Sequence, residues 1–286
     1  MKTAITLSLG FLVALTLCGR AAGQDLQFPK TVEAGRAFSV PTTGSGKATL
    51  YVVGPTQVLR REVSLGENIA FARGEMANAG HYTAFLTGSS TATADFDVTP
   101  VSQPSSISFL AKPSRLAVDL PNGISGVAYV FDVFRNLILQ PTPVSFQLSG
   151  ANSAVQVQKV ETKNGVAWVK MNSATRSGPA QFEAEAGGVV DKRVIEQVPG
   201  DPCNLRMTAR ADGDRVALET DPVRDCSGNP VPDGTIISFT ESYNGETSTV
   251  DAPLKRGVAK TDLPAYKGAT ITVAAGVVMG NEIRWQ

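Results

Sequence analysis

Hydrophobic and polar residues alternate in short runs along most of this chain. The clearest run is Val144-Ser145-Phe146-Gln147-Leu148-Ser149. There Val144, Phe146 and Leu148 share one side of an extended backbone, because strand side chains alternate with a period of two. Leu50-Tyr51-Val52-Val53, Ile236 to Thr240 and Thr270 to Ala275 repeat the pattern, each bounded by turn residues. Beyond the first residues no segment carries helical periodicity. Strands at a spacing of about 8–12 residues predict a sandwich or barrel.

The start of the chain differs. Met1-Lys2-Thr3 is a short basic lead, Ala4 to Leu17 is almost wholly apolar, and Ala21-Ala22-Gly23 supplies the small residues of a cleavage site. Residues 1–23 therefore read as a signal peptide, with the mature chain starting at Gln24. The run is too short to span a bilayer. Lipidation at Cys18 is the rival, but a lipobox wants Gly, Ala or Ser where Leu17 stands. No later stretch can anchor the chain, so the expected location is outside the cytoplasm: extracellular, cell-surface or periplasmic.

Composition agrees with many short strands. Of the 286 residues, 42% are hydrophobic and only 18% charged, with 27 Gly and 17 Pro spread throughout. Net charge is zero, which gives no reason to expect nucleic acid as a partner.

Two Pro-bearing stretches, Thr99 to Ser106 and Pro199 to Pro202, divide the mature chain into units at 24–100, 104–198 and 200–286. Short Pro-containing linkers are stiff, so an elongated monomeric rod is expected. The second and third units are copies. Asp132 and Asp225, Asn136 and Asn229, and Phe146 and Phe239 each lie 93 residues apart, and Gly165-Val166-Ala167 recurs 92 residues on as Gly257-Val258-Ala259.

The third unit's Asp225-Cys226-Ser227-Gly228-Asn229-Pro230-Val231-Pro232-Asp233-Gly234-Thr235, followed by Ser238-Phe239 and Gly257-Val258-Ala259, resembles the bacterial Ig-like domains of the intimin/invasin (Big-1) type. The second unit matches through Asp132 to Asn136, Pro143 to Phe146 and Asn164 to Ala167. The resemblance implies immunoglobulin-like β-sandwiches in a surface or secreted protein, as spacers or adhesive modules, and carries no catalytic residues over. The first unit lacks the Gly-Val-Ala signal. Its Asn78-Ala79-Gly80-His81-Tyr82-Thr83-Ala84 resembles an Ig-like tyrosine corner, in which a buried Tyr82 hydroxyl would bond back to the backbone. The expected fold class is all-β: three Ig-like sandwiches in tandem after the signal peptide.

Cys203 and Cys226 are the two cysteines of the mature chain, and an even pair in an exported protein reads as a disulfide. Free thiols are the alternative; zinc would need more ligands than two thiols with no nearby histidine. His81 is the only histidine and sits in the corner strand, with no nucleophile elbow anywhere. Gly44-Ser45-Gly46-Lys47-Ala48-Thr49 lacks the first Gly and the Ser or Thr of a phosphate loop and reads as a turn. Asp212, Asp214, Asp221, Asp225 and Asp233 read as turn formers, with calcium as the rival. No catalytic residue, cofactor or resident metal is expected, and the chain reads as a non-enzyme.

A contact surface is the remaining candidate chemistry. In the run ending Ala128-Tyr129-Val130-Phe131, Ala128 and Val130 suit the core, which turns Tyr129 and Phe131 outward. In Val166 to Met171, Ala167, Val169 and Met171 suit the core, which turns Trp168 outward beside Lys170. At matching offsets the third unit has Pro222, Arg224 and Lys260. If the two runs are neighbouring strands, the three rings should lie side by side, as a site for a protein or glycan ligand at a cell surface. The expected function is interaction or adhesion with a spacer role; the alternative is a carbohydrate-binding accessory module.

Overall fold

The structure, a computed structural model, describes residues 26–88, 92–150, 153–264 and 266–286. The expected signal peptide and Cys18 lie outside the described residues. Among the described residues every regular element is a strand. By internal contacts the chain divides into a unit ending at Pro100 and a unit from Val101 to Gln286.

The first unit has seven strands: β1 (Thr31–Glu33), β2 (Phe38–Pro41), β3 (Lys47–Val53), β4 (Val58–Ser64), β5 (Asn68–Phe71), β6 (Gly80–Thr87) and β7 (Ala92–Thr99). They form a sheet β1-β7-β6-β3-β4 and a ribbon β2-β5. The alternating run at Leu50 lies in β3, where Ala48, Leu50 and Val52 are buried. Tyr82 is fully buried and donates its hydroxyl proton to the Asn78 carbonyl at 2.8 Å, closing the corner. Its ring lies directly over Gly54, where a Cβ would strike ring carbons. The Gly44 to Gly46 segment is a bend leading into β3, not a loop before a helix.

The second unit begins with β8 (Ser106–Lys112), β9 (Arg115–Ala117), β10 (Ile124–Phe131), β11 (Pro143–Gly150), β12 (Gln156–Glu161), β13 (Val166–Met171), β14 (Gly178–Ala186) and β15 (Val189–Val198). A sheet β13-β10-β8 faces a sheet β12-β11-β14-β15-β9. Between them Phe109, Phe146 and Phe182 meet with centroids 5.0–6.2 Å apart, in a core with Ile124, Ala128, Val130, Ala167 and Val169. Val144, Phe146 and Leu148 of β11 all point into it.

The unit continues with β16 (Pro202–Cys203), β17 (Met207–Asp212), β18 (Arg215–Thr220), β19 (Arg224–Asp225), β20 (Ile236–Tyr243), β21 (Glu246–Pro253), β22 (Lys260–Pro264), β23 (Thr270–Ala275) and β24 (Val278–Arg284). The sheets β17-β18-β22 and β21-β20-β23-β24 enclose a separate core around Leu218, Ile237, Phe239, Ile271 and Val273. Trp285 packs against its edge. Cys203 and Cys226 are disulfide-bonded, beside the short ladder β16-β19.

The repeated motifs have structural causes. Asn164-Gly165 and Arg256-Gly257 each take two left-handed residues in succession, between the bridged pairs Lys163–Val166 and Lys255–Val258. Such a two-residue turn favours glycine at its second position, so the Gly of each Gly-Val-Ala opens the strand that follows. Asp132 accepts the amides of Phe134 and Asn136 at 2.9 and 2.8 Å, and Asp225 accepts that of Asn229 at 2.8 Å. Each carboxylate also takes an amide of the chain leading into its sandwich, Val101 for Asp132 and Gly200 for Asp225, both at 2.9 Å. Burial alone would raise the Asp225 carboxyl, but the bonds from Asn229, Gly200 and Ser227 hold it below the usual range. Asn229 further donates to the Thr175 carbonyl at 2.8 Å and accepts from the Ser177 amide at 3.0 Å, binding the two sandwiches of this unit to each other.

A candidate interaction face

The sheet β13-β10-β8 positions the candidate face. Gly126, Ala128 and Val130 of β10 point inward, as do Ala167, Val169 and Met171 of β13. The intervening residues form cross-strand rows on the outer face. One row is Trp168, Val127 and Leu110; the next is Val166, Tyr129 and Ser108; a third is Lys170, Ser125 and Lys112. Trp168 and Leu110 are 56% and 51% exposed, while Tyr129 and Phe131 are half-buried.

The ladder corrects one expectation. The three rings are not side by side. Trp168 faces Val127 and is only diagonal to Tyr129, whose own partner is Val166. Phe131 lies beyond the β13 ladder and pairs with Ser106 on β8. The Val130 amide donates to the Gly165 carbonyl at 3.0 Å, which ties the start of β13 to β10 in this register, and neighbouring strands can sit in several registers with the same faces buried. Of the aliphatic side chains missed by a search for aromatics, Val127 and Val166 hold the other diagonal between Trp168 and Tyr129, and Leu110 lies across Val127 from Trp168. Their signal was available: each occupies an outward position where a solvated strand would carry a polar residue.

The electrostatics of the face are one-sided. Lys112 and Lys170 are the only charged residues of β8, β10 and β13. Lys163, from the turn before β13, holds its ammonium 5.9 Å from the Trp168 ring centroid, a cation–π contact. The edges of the sheet are guarded. The Phe109 amide on β8 donates to Asp191, itself held by Arg193. The Lys170 and Asn172 carbonyls on the other side accept from the Gln158 and Gln156 side chains, both at 2.9 Å. These caps occupy the edge groups that strand addition would use at those points.

The copy in the third sandwich is charged where this face is apolar. Thr208, Glu219 and Lys260 form one outer row, with a Lys260–Glu219 ion pair at 2.8 Å, and Arg210, Ala217 and Asp262 form the next. Pro222 and Arg224 are exposed there, but β18 ends at Thr220, before Asp221-Pro222, since proline cannot donate to the ladder.

The other singled-out residues have local roles. His81 is exposed, with Nδ1 3.0 Å from Asp97. Asp233 accepts the Arg256 and Gly257 amides, both at 2.9 Å, which organises the turn before β22.

No family model and no curated protein matches this sequence. Solved structures do match it. The chain is similar to FdeC, described as a broadly conserved Escherichia coli adhesin, at a TM-score of 0.58 and 15% identity, over 92% of this chain and 96% of that one. It is also similar to InvD of Yersinia pseudotuberculosis, at 0.50 and 13%, over 90% and 94%. At such identities the likeness is one of fold: tandem Ig-like sandwiches.

Proposed function

We propose that this chain is an exported, non-catalytic bacterial Ig-like repeat protein of the intimin/invasin type that binds a partner at a cell surface. On this reading its domains are 24–100, 104–198 and 200–286, and the outer face of β13-β10-β8 makes the contact. The observation that carries the reading is the apolar, acid-free surface around Trp168, set against the charged surface of its own copy. A fold that accepts Glu219 and Lys260 in one repeat does not require Trp168, Val127 and Leu110 in the other. Contiguous exposed apolar surface on a soluble domain marks interaction. Its lysines fit a protein partner that meets the rings with apolar groups and rims them with carboxylates. The likeness to an adhesin supports the same reading by analogy of fold.

Replacing Tyr129 with Ser, Phe131 with Arg and Trp168 with Lys together tests it. The triple variant should keep its unfolding midpoint and lose adherence of the purified mature protein to host cells. Truncating an anchor ring at a contact centre costs about 2 kcal/mol or more, a loss of roughly thirty-fold per ring. Undiminished adherence, or unfolding of the variant, would remove the face from consideration. Binding on a glycan array that the triple variant abolishes would favour the carbohydrate-binding alternative.

A further inference from the structure

The end of the third sandwich holds a carboxyl group that the fold does not call for. Ile237, Phe239 and Glu241 follow one another on the inward side of β20, and all three are buried, Glu241 to 4% exposure. Its ladder partners are Ser248 on β21 and Ile271 on β23. Its Oε1 is buried with no hydrogen-bond partner, the only such side-chain atom among the described residues. Burial raises this carboxyl above the ordinary range, because nothing nearby compensates the lost hydration.

The internal copy shows that the position does not need an acid. By the same offset of 93 residues that relates Phe146 to Phe239, Glu241 corresponds to Leu148, which is buried in the second core. Tyr243 corresponds to Gly150. The third sandwich has thus exchanged a leucine and a glycine for a glutamate and a tyrosine at one end of its core.

These residues line a pocket of about 490 Å³ with Asn244, Glu246, Pro264 and Tyr266. Tyr243 and Tyr266 stack in parallel, with centroids 4.9 Å apart and planes 7° from parallel. Tyr266 is 48% exposed, so the stack reaches solvent. The lining contains two carboxylates and no basic residue. Its volume lies within the range of small-ligand sites.

We propose that this pocket binds an alkylammonium group, with Glu241 as counter-ion and the Tyr243–Tyr266 pair as the aromatic wall. A primary ammonium brings both hydrogen-bond donors and the positive charge that the desolvated carboxylate lacks. Tyrosine rings attract such a cation through their negative faces. A neutral sugar would supply donors but not charge, and an anion would meet two carboxylates. This site is independent of the Trp168 face.

The test is titration of the mature protein with n-butylammonium, followed by the ring signals of Tyr243 and Tyr266 in NMR spectra. Saturable shifts are expected, and E241Q and Y266S should each weaken binding by about ten-fold or more, the loss expected when one side of a charge pair or cage is removed. E241L, which restores the residue of the copy, should fold and not bind. Parallel titrations with spermidine and with Nα-acetyl-lysine methylamide distinguish a free polyamine from a protein lysine as the source of the group. Absence of saturable shifts with all three amines overturns the proposal. So does unchanged affinity in E241Q or E241L, or saturation by methyl glucoside in place of the amines.

Discussion

Removal of the Cys203–Cys226 bridge should destabilise the third sandwich by an amount set by the loop it closes. The cysteines are 23 positions apart. On the chain-entropy relation a loop of that size restricts the unfolded state by about 11 cal/mol/K, or roughly 3.4 kcal/mol at 25 °C. The folded state should lose little else. Cys226 is exposed and Cys203 half-buried, so serine at both positions opens no core cavity. The ladder β16-β19 and the bond from the Gly200 amide to Asp225 still hold the strand ends together. The assay exploits the two tryptophans. Trp285 packs on the third core while Trp168 sits on the second sandwich, so W168F leaves Trp285 as the reporter. With a urea m-value of about 1.2 kcal/mol/M for a sandwich of this size, the midpoint of the double-serine protein should fall by about 2.8 M. Reductant on the parent should produce the same fall. A shift below about 0.5 M would refute the reasoning, because the unfolded chain would then gain almost no freedom when the bridge is cut.

Two further outcomes concern the cores. G54A should lower the thermal midpoint of the first unit, with a cost of about 1–3 kcal/mol, since its methyl group must displace the buried Tyr82 ring. Calorimetry of the mature chain should show that transition shift alone. Glu241 should make the third sandwich less stable as pH rises. Its folded-state value is raised, so the folded form holds the proton more tightly than the unfolded one. The contribution is intact below the unfolded carboxyl value of about 4.3 and is lost as pH climbs through the folded value. E241Q should match the parent near pH 4 and exceed it at neutral pH by about 1–3 kcal/mol, the cost of an unsatisfied buried group. A gap that does not widen with pH between urea midpoints would contradict that assignment.

Much of this fold was legible because the sequence repeats its physical instructions. Period-two runs located β11 and β23, and Thr270 to Ala275 matches its strand end to end. Tyr82 and the cysteine pair announced themselves by residue type and context. Glu241 did not. A glutamate at an inward position breaks the alternation, so the run from Ile236 reads as ending at Thr240, whereas β20 continues to Tyr243. The neighbours of Trp168 were hidden for another reason. Alternation assigns faces, but which residues meet across β10 and β13 depends on their register, and β11 and β12 separate the two strands in sequence. The Asp-Asn spacing was visible as repetition only. Its part in gripping a backbone amide requires knowing where the incoming linker runs.

The disulfide has a mechanical consequence. A protein that holds a partner while attached elsewhere is pulled along its backbone, and tension follows the shortest covalent path. Pulled through this sandwich, the path enters at Cys203 and crosses the sulfurs to Cys226. Residues 204–225, with β17 and β18, then lie off the loaded route. They can lose their native contacts, yet add no length to the stretched chain. Extension of the third sandwich must therefore begin in the segment after Cys226, and its maximum reach under load is shorter by the 22 residues from 204 to 225, about 75 Å of extended chain.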